Sequence, residues 1–341
     1  MSLFLNVATA AQLCGGCALE FEVLDTLGAA EDPAGVGVFA EVLSVGDLGY
    51  LASAENLGGV VIVYDSAGNY QRELTREGDG PGELRAAPTF AFGDGGILVR
   101  EPGSARLHLF SGDLSFKKTF RLPGVTGVWS IQPDPVTGGW LVTCRGNDFL
   151  EKKVLLLDQE GNVLRTLSAD ESSDSRGLPN VIRGPDGTIW STSLFGLVEV
   201  FDEDLGILGS LRLELPSLEG WELPRDGQRG WSAQVNDIRL APDGSGVWIF
   251  AMAPERRFAE LSMAELRERA MDGSLTPEQF ADAYVYWVRL EPNGVTLVGT
   301  DSFDTLVRPL GDGDLAFDLV ETPDGNRRIR VGRLRFMRGG G

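Results

Sequence analysis

The amino-acid sequence predicts an all-β fold, a six-bladed β-propeller with four-stranded antiparallel blades, from three observations. First, 45 glycines and 17 prolines are spread along 341 residues, so turns are frequent and strands are short. Second, similar hairpins recur about every 45 residues, which is the length of one propeller blade. Third, each repeat contains two hairpins, and two hairpins supply four antiparallel strands.

The outer hairpin of each repeat follows an apolar strand that ends in a polar or acidic residue. Successive hairpins of this kind are separated by 46, 47, 44 and 89 residues, measured between Asp65, Ser111, Asp158, Asp202 and Glu291. Several inner hairpins contain Pro-Asp-Gly or Gly-Asp-Gly, which suit tight turns between antiparallel strands. The inner hairpins predict six blades, with starts near Phe39, Pro88, Val128, Asn180, Asn236 and Thr305.

The interval of 89 residues indicates an insertion in the fifth blade. Residues 254–284 break the strand pattern, and their apolar residues recur at helical spacing. Ser262 and Glu265 have the spacing of a capping box, and Thr276 with Pro277 resembles the start of a second helix. We therefore expect two short helices between the second and third strands of this blade.

The last repeat supplies only three strands, whereas residues 18–27 form a strand that precedes the first repeat. We expect residues 18–27 to complete the last blade, because closing the ring with both ends of the chain removes an exposed sheet edge. Residues 18–338 then form one propeller domain, and residues 1–17 form an N-terminal segment.

The N-terminal segment resembles the end of an export signal. Ala8-Thr9-Ala10 has the small-x-small pattern that signal peptidase reads, although a basic region and a long apolar run are missing. Cys14 and Cys17 lie in a Cys-Gly-Gly-Cys motif without the following histidine of a c-type haem site. We expect a local disulfide between them, with two free thiols as the alternative. This interpretation predicts a periplasmic or secreted protein, and a cytoplasmic location stays open.

Composition and charge disfavour several classes of function. Lys and Arg number 30 against 50 Asp and Glu, so the net charge of −20 opposes binding to nucleic acid or to anionic membranes. His108 is the only histidine, which excludes multi-histidine metal sites, and its strand pattern predicts a structural role. We expect no transmembrane segment, no metal and no cofactor. Calcium is the one ion considered, for acidic groups at 170–171, 202–204 and 312–314, but none of them fits an EF-hand loop.

The long connections are predicted to lie on one face of the propeller. Successive turns of an antiparallel meander alternate between the two ends of a sheet, so the tight turns share one end. The opposite end collects the loops at 75–88, 168–179 and 214–234, together with the insertion. Because long loops on a rigid scaffold usually carry binding sites, we expect function on this face.

The first of these loops carries a resemblance to a known family. The segment Arg-Glu-Gly-Asp-Gly-Pro-Gly-Glu-Leu at 76–84, the Cys-x-x-Cys motif and the insertion before Tyr-Val-Tyr-Trp resemble bacterial six-bladed β-propeller proteins of the NHL-repeat type. The resemblance implies an exported or lipid-anchored protein without an assigned activity. Residues 11–13 do not form a lipobox, so this chain departs from the lipid-anchored pattern.

The candidate binding residues belong to the long loops and to strand ends near the central channel. Glu83 and Arg85 lie in or beside the Gly-Asp-Gly-Pro-Gly-Glu loop, whose backbone N–H groups form either an anion cradle or a rigid turn. Trp221 and Trp231 lie in the longest loop, whereas the other five tryptophans fall in strand patterns that predict packing between blades. The remaining candidates are charged or amide side chains: Arg100, Arg145, Asn147, Asn236 and Asp237.

These observations predict a non-catalytic binding or scaffolding module that contacts a protein or peptide with its long-loop face. Two alternatives stay open, because propellers host unrelated activities. A metal-dependent enzyme resembling lactonases or lyases needs Glu83, Asn147 and Asp237 to converge at the channel. An accessory subunit of a larger complex would dock a neighbour through residues 254–284.

Overall fold

The computed structural model describes most of the chain. It covers residues 17–28, 41–146, 152–168, 180–215, 234–241, 244–254, 281–303, 307–311, 313–321 and 327–338, and within the insertion Glu265, Glu268, Arg269, Asp272 and Ser274. The described secondary structure is almost entirely β-strand, with short 3-10 turns at Gly46–Leu48 and Glu55–Leu57.

The strands form six separate four-stranded antiparallel sheets, which are the blades of a six-bladed β-propeller. Blade one contains β2 (Glu41–Ser44), β3 (Tyr50–Ser53), β4 (Ile62–Tyr64) and β5 (Tyr70–Glu73). Blade two contains β6 (Thr89–Gly93), β7 (Gly96–Arg100), β8 (Arg106–Phe110) and β9 (Phe116–Arg121). Blade three contains β10 (Gly127–Pro133), β11 (Trp140–Arg145), β12 (Lys152–Leu157) and β13 (Val163–Ser168). Blade four contains β14 (Asn180–Arg183), β15 (Ile189–Thr192), β16 (Leu197–Phe201) and β17 (Ile207–Arg212). Blade five contains β18 (Gln234–Leu240), β19 (Gly246–Pro254), β20 (Ala281–Glu291) and β21 (Gly294–Phe303). Blade six contains β22 (Arg308–Pro309), β23 (Leu315–Glu321), β24 (Arg327–Arg338) and β1 (Cys17–Leu27).

The ring is closed by strands from the two ends of the chain. In blade six, β1 is the outermost strand and pairs antiparallel with β24, from Cys17 opposite Arg338 to Leu27 opposite Ile329. Immediately after β1, the N–H of Gly28 donates to the carbonyl oxygen of Gly68 in blade one at 2.9 Å. The N-terminal strand therefore completes blade six and also contacts the first blade, which protects an edge that would otherwise be open.

Side chains on both faces of each sheet pack against the neighbouring blades. Leu51 and Val63 of blade one meet Ile97 and Val99 of blade two in one apolar cluster, and all four are buried. Burying each such side chain contributes roughly 1.5–3 kcal/mol. The alternation of apolar and polar residues along the strands therefore directs the core into the spaces between blades.

The acidic residues that initiate the outer turns have a structural role. Asp65 Oδ1 accepts hydrogen bonds from the backbone N–H groups of Ala67 and Asn69 at 3.0 and 2.9 Å. Asp158 and Asp202 make equivalent bonds in blades three and four. Hydrogen bonds to the carboxylate lower the pKa of Asp65, and the backbone N–H of Asn69 contributes most to this change. The recurring aspartates are therefore explained by turn formation.

The two ends of the propeller differ in the length of their connections. At one end, which we call the turn face, the connections between first and second strands and between third and fourth strands have at most six residues, as in 134–139. The opposite end, the long-loop face, receives the connections 28–40, 74–88, 169–179, 213–233 and 255–280. The insertion lies between β19 and β20, as the sequence predicts, and its described residues Glu265, Glu268 and Arg269 are helical.

Candidate functional site at the mouth of the central channel

The first strand of each blade lies nearest the propeller axis, and these six inner strands are neighbours around a central channel. Near the long-loop end of the channel, the inner strands of blades one to five each carry a polar residue at the equivalent position. We call this set the polar layer: Glu41, Thr89, Ser130, Asn180 and Asp237. Their pairing partners on the second strands are Ser53, Arg100, Thr143, Thr192 and Phe250. The residues at this level of the channel are therefore mainly polar.

Two β-bulges change the direction of side chains beside the polar layer. The register between β10 and β11 shifts at Trp129, and the register between β18 and β19 shifts at Asn236. Both bulged residues are exposed, with 40% of Trp129 accessible to solvent. A bulge leaves one residue out of the hydrogen-bond ladder and re-aims its side chain. The prediction that Trp129 packs between blades is therefore wrong.

A polar network links the inner strands of blades three and five. Arg239 Nη2 lies 2.7 Å from Asp237 Oδ2, and Gln132 Nε2 donates to Asp237 Oδ1 at 3.3 Å. Arg239 Nη1 also donates to Gln132 Oε1. Since blade four separates these blades along the chain, the network forms only when the ring is assembled.

Asp237 has an unusual protonation equilibrium for an aspartate. Burial raises its pKa to about 6, the negative charge of Glu41 acts in the same direction, and the Arg239 guanidinium partly offsets both. Solvent still reaches 20% of the Asp237 side chain. A surrounded carboxyl that remains accessible from the channel is able to exchange a proton with a ligand or with water.

Arg100 is a positively charged residue at the channel mouth that makes no ion pair with the described residues. Its Nε donates to Thr89 Oγ1 at 2.8 Å, and its Nη1 donates to the carbonyl oxygen of Val128 at 2.9 Å. Burial lowers the pKa of Arg100 to about 10, although the negative charge of Glu41 counteracts this change. The guanidinium therefore stays protonated at neutral pH and is held in one orientation by blades two and three.

The Gly-Asp-Gly-Pro-Gly-Glu loop is a rigid turn that contains its own anion. The carboxylate of Glu83 accepts from the N–H of Gly80 at 2.7 Å and pairs with Arg76 at 2.7 Å. The N–H of Gly78 donates to the carbonyl oxygen of Leu84, which is fully buried. Because Glu83 occupies the position that an external anion would take, the structure favours the rigid turn among the two predicted interpretations.

Arg85 takes part in a cluster of charges that fixes this loop to blade two. Its side chain pairs with Asp79, and its backbone N–H donates to Glu101 Oε1 at 2.5 Å. Arg106 Nη2 also pairs with Glu101, at 2.9 Å. The cluster pairs arginines with carboxylates, so it stabilises the loop and leaves little net charge there.

The remaining candidates are placed as follows. Arg145 ends β11 opposite Gly127, near the bulge of β10, and Asn236 is itself a bulge residue. Cys14, Asn147, Trp221 and Trp231 lie outside the described residues. The partners of Glu83 belong to its own loop, whereas those of Asp237 are Gln132 and Arg239, so the two carboxylates share no partner among the described residues.

Sequence reasoning missed Glu41, Trp129, Gln132 and Arg239 as members of the site. A signal for three of them was available, because Val-Trp-Ser-Ile-Gln at 128–132 and Val-Asn-Asp-Ile-Arg at 235–239 follow one pattern of apolar and polar residues. In both segments the second residue is the bulge and the fifth joins the channel network.

Other features of the described residues point less clearly to a ligand. A cleft of about 300 Å³ at the turn face is lined by Asp94, Gly95, Leu109, Lys117, Lys118, Gln159 and Glu160, which balance two lysines against two carboxylates. No cluster of three or more His, Cys, Asp or Glu able to hold a metal is found in the described part of the chain. Within that same part, no helix has the length and apolar character needed to cross a bilayer.

Comparison with known proteins shows what the fold resembles. No protein-family model matches the chain, and no curated protein matches it. Hydrazine synthase from Kuenenia stuttgartiensis superimposes with a TM-score of 0.50 at 13% identity, over 85% of this chain and 75% of that one. A Bacteroides fragilis protein named as exported superimposes with a TM-score of 0.53 at 10% identity, over 96% and 98%. At these identities the comparisons support one conclusion, that the chain is a six-bladed β-propeller.

Proposed function

We propose that this protein is a non-catalytic binding module that contacts a protein or peptide with its long-loop face. The observation that carries the proposal is the asymmetry of the connections: those at the turn face have at most six residues, whereas 213–233 and 255–280 belong to the opposite end. Loops that tolerate length and carry recognition residues concentrate where a rigid scaffold presents them. The polar layer opens at the same end.

The rigidity of the loop at 76–85 supports recognition of a partner. Its carboxylates and arginines are already paired with one another, and Gly78 and Leu84 are joined by a backbone hydrogen bond of 3.1 Å. A surface that is ordered before binding loses less conformational entropy when the complex forms. The loop therefore provides a fixed border beside the channel mouth.

A random-peptide display selection on the immobilised protein tests this function. Enriched peptides are resynthesised with a photo-crosslinker at one end, and the crosslinked residues are identified by mass spectrometry. We expect crosslinks on the long-loop face and at least a tenfold loss of affinity when residues 217–232 are replaced by a short Gly-Ser linker. The double variant Glu160→Ser, Asp204→Ser, which changes exposed positions of the turn face, should bind normally. Absence of enriched peptides, or crosslinks on the turn face, would contradict the proposal.

One observation favours an enzyme as the second candidate, namely the pKa of about 6 at Asp237. A carboxyl that titrates near neutral pH is suited to general acid–base catalysis. Hydrolysis of a panel of lactones and esters by the purified protein tests this candidate. An activity abolished by Asp237→Asn and retained in Asp204→Asn would replace the binding function, and no turnover with any substrate would remove this candidate.

We further propose that the protein works outside the cytoplasm. Support comes from the Ala8-Thr9-Ala10 pattern and from the Cys14 and Cys17 pair in the sequence. Intact-mass analysis of the protein purified from its own cells, with and without thiol alkylation, tests this location. Cleavage after Ala10 and protection of two thiols are expected, while retention of residues 1–10 with two alkylated thiols would refute it.

A further inference from the structure

Arg100 has unused hydrogen-bonding capacity at the channel mouth. A guanidinium carries five N–H donors. Arg100 uses one N–H on Thr89 and one on the carbonyl oxygen of Val128, and it makes no ion pair with any of the described residues. Neither acceptor carries a charge, so the protein orients the guanidinium without a direct ion pair among the described residues, although the negative charge of Glu41 acts on it. Three donors therefore remain for an acceptor that comes from outside this part of the chain.

The backbone of Trp129 lies close to this guanidinium. It directly follows Val128, whose carbonyl oxygen is 2.9 Å from Arg100 Nη1, and the bulge in β10 takes it out of the strand ladder. The ring is 40% exposed, although six of its neighbours in the same blade, Val128, Ile131, Trp140, Leu141, Val142 and Cys144, are buried. An exposed indole on a residue whose backbone adjoins an oriented guanidinium can offer an apolar surface next to an anion-binding group.

Charge is nearly balanced at the channel mouth, whereas the whole protein is strongly acidic. Glu41 acts on Arg100, and Asp237 pairs with Arg239 at 2.7 Å. The complete chain has a net charge of −20. An anionic ligand is therefore repelled less at the mouth of the channel than by most of the surface, which favours this position.

We infer that the channel mouth between blades two and three binds a carboxylate group of the partner, with Arg100 donating to the carboxylate and Trp129 packing against the adjoining apolar atoms. A planar guanidinium binds carboxylates in a two-pronged geometry that suits the donors left on Arg100. The inference rests on the proposed function, since it specifies the chemical group that the long-loop face recognises. The carboxylate is either an acidic side chain or the end of a chain.

Titration of small carboxylate probes, followed by NMR of arginine side chains, tests the inference. The probes are N-acetylglutamate amide, with a side-chain carboxylate, N-acetylglycine, with a chain-end carboxylate, and the neutral N-acetylglutamine amide. The readout is the Nε–Hε signal of Arg100, identified by its loss in Arg100→Gln and in Arg100→Lys. Arg72, an exposed arginine on β5 of blade one, supplies the control signal.

A saturable shift of the Arg100 signal is expected with one or both carboxylate probes, and the probe that binds tighter identifies the source. The neutral probe should not cause a saturable shift of the Arg100 signal. None of the probes should cause a saturable shift of the Arg72 signal. Trp129→Ala, a change at an exposed position, should weaken the binding about three- to tenfold. The inference is overturned when neither carboxylate saturates the Arg100 signal, when the neutral amide shifts it equally, or when Trp129→Ala binds as tightly as the unchanged protein.

The two proposals fail in different ways. If the carboxylate probes saturate Arg100 but display selection enriches no peptide, the anion site stands and the peptide-binding function is wrong. If peptides are enriched and crosslink to the long-loop face without any response at Arg100, the function stands and the inference is wrong.

Discussion

The substitution Asp237→Asn tests the electrostatics of the central channel. Burial raises the pKa of Asp237 from 3.8 to about 6, so the folded protein binds this proton more tightly than the unfolded chain does. A raised carboxyl pKa contributes stability that is complete below pH 3.8 and is lost as the pH rises through about 6. At neutral pH, the charged carboxylate therefore destabilises the folded state relative to a neutral amide.

The magnitude follows from the difference between the two pKa values. The pKa of Asp237 rises from 3.8 in the unfolded chain to about 6 in the folded protein. Since each pKa unit corresponds to about 1.4 kcal/mol, complete ionisation of Asp237 changes the free energy of unfolding by about 3 kcal/mol. Roughly four fifths of this change falls between pH 4 and pH 7. Relative to the unchanged protein, Asp237→Asn should therefore gain about 2 kcal/mol of stability over that interval.

Urea unfolding of both proteins at several pH values between 4 and 7 measures this difference. Asp204→Asn, which removes one exposed charge from the turn face, controls for the general effect of charge in an acidic protein. A constant difference between Asp237→Asn and the unchanged protein would refute the reasoning. A difference of the opposite sign would show that the Arg239 ion pair outweighs the burial of Asp237.

Four further substitutions test the packing and the turns, and the free energy of unfolding in urea is measured for each. Gly59→Ala should destabilise by about 1–3 kcal/mol, because its Cβ would lie 1.9 Å from the carbonyl oxygen of Leu84; unchanged stability would show that the loop can move aside. Trp140 is fully buried, so Trp140→Ala should lower the free energy of unfolding by about 3–5 kcal/mol. Trp129 is exposed, so Trp129→Ala should change it by no more than about 0.5 kcal/mol. Similar losses for the two variants would contradict the buried position of Trp140 and the exposed position of Trp129. Asp65→Ala should lower the free energy of unfolding through lost hydrogen bonds to the turn, and a neutral effect would refute this role.

The turn-initiating aspartates show why the repeats were visible in the sequence. Asp65, Asp158 and Asp202 each bind backbone N–H groups two and four residues later, so each turn depends on residues within its own hairpin. Such local requirements recur in blades one, three and four and leave a periodic pattern. The same locality made the alternation of tight turns and long connections predictable.

The loop at 78–83 was less predictable, because its glycines suit both an anion cradle and a rigid turn. The choice depended on the side chain of Glu83, which folds back to the N–H of Gly80 and to Arg76. The pairing of Glu101 with Arg106 and with the backbone of Arg85 then holds the loop on blade two. These contacts involve two sequence segments, so the motif alone was consistent with either interpretation.

The sequence by itself determined the number of blades, their four strands, the closing strand at 18–27 and the face that carries the long connections. These properties follow from side-chain alternation and turn chemistry, which act over a few residues and repeat. Only the tertiary structure decided which polar groups meet in the channel. Gln132 lies more than 100 residues from its partners Asp237 and Arg239, and their contact requires the assembled ring. Burial in that ring also raises the pKa of Asp237, because desolvation depends on atoms from several blades.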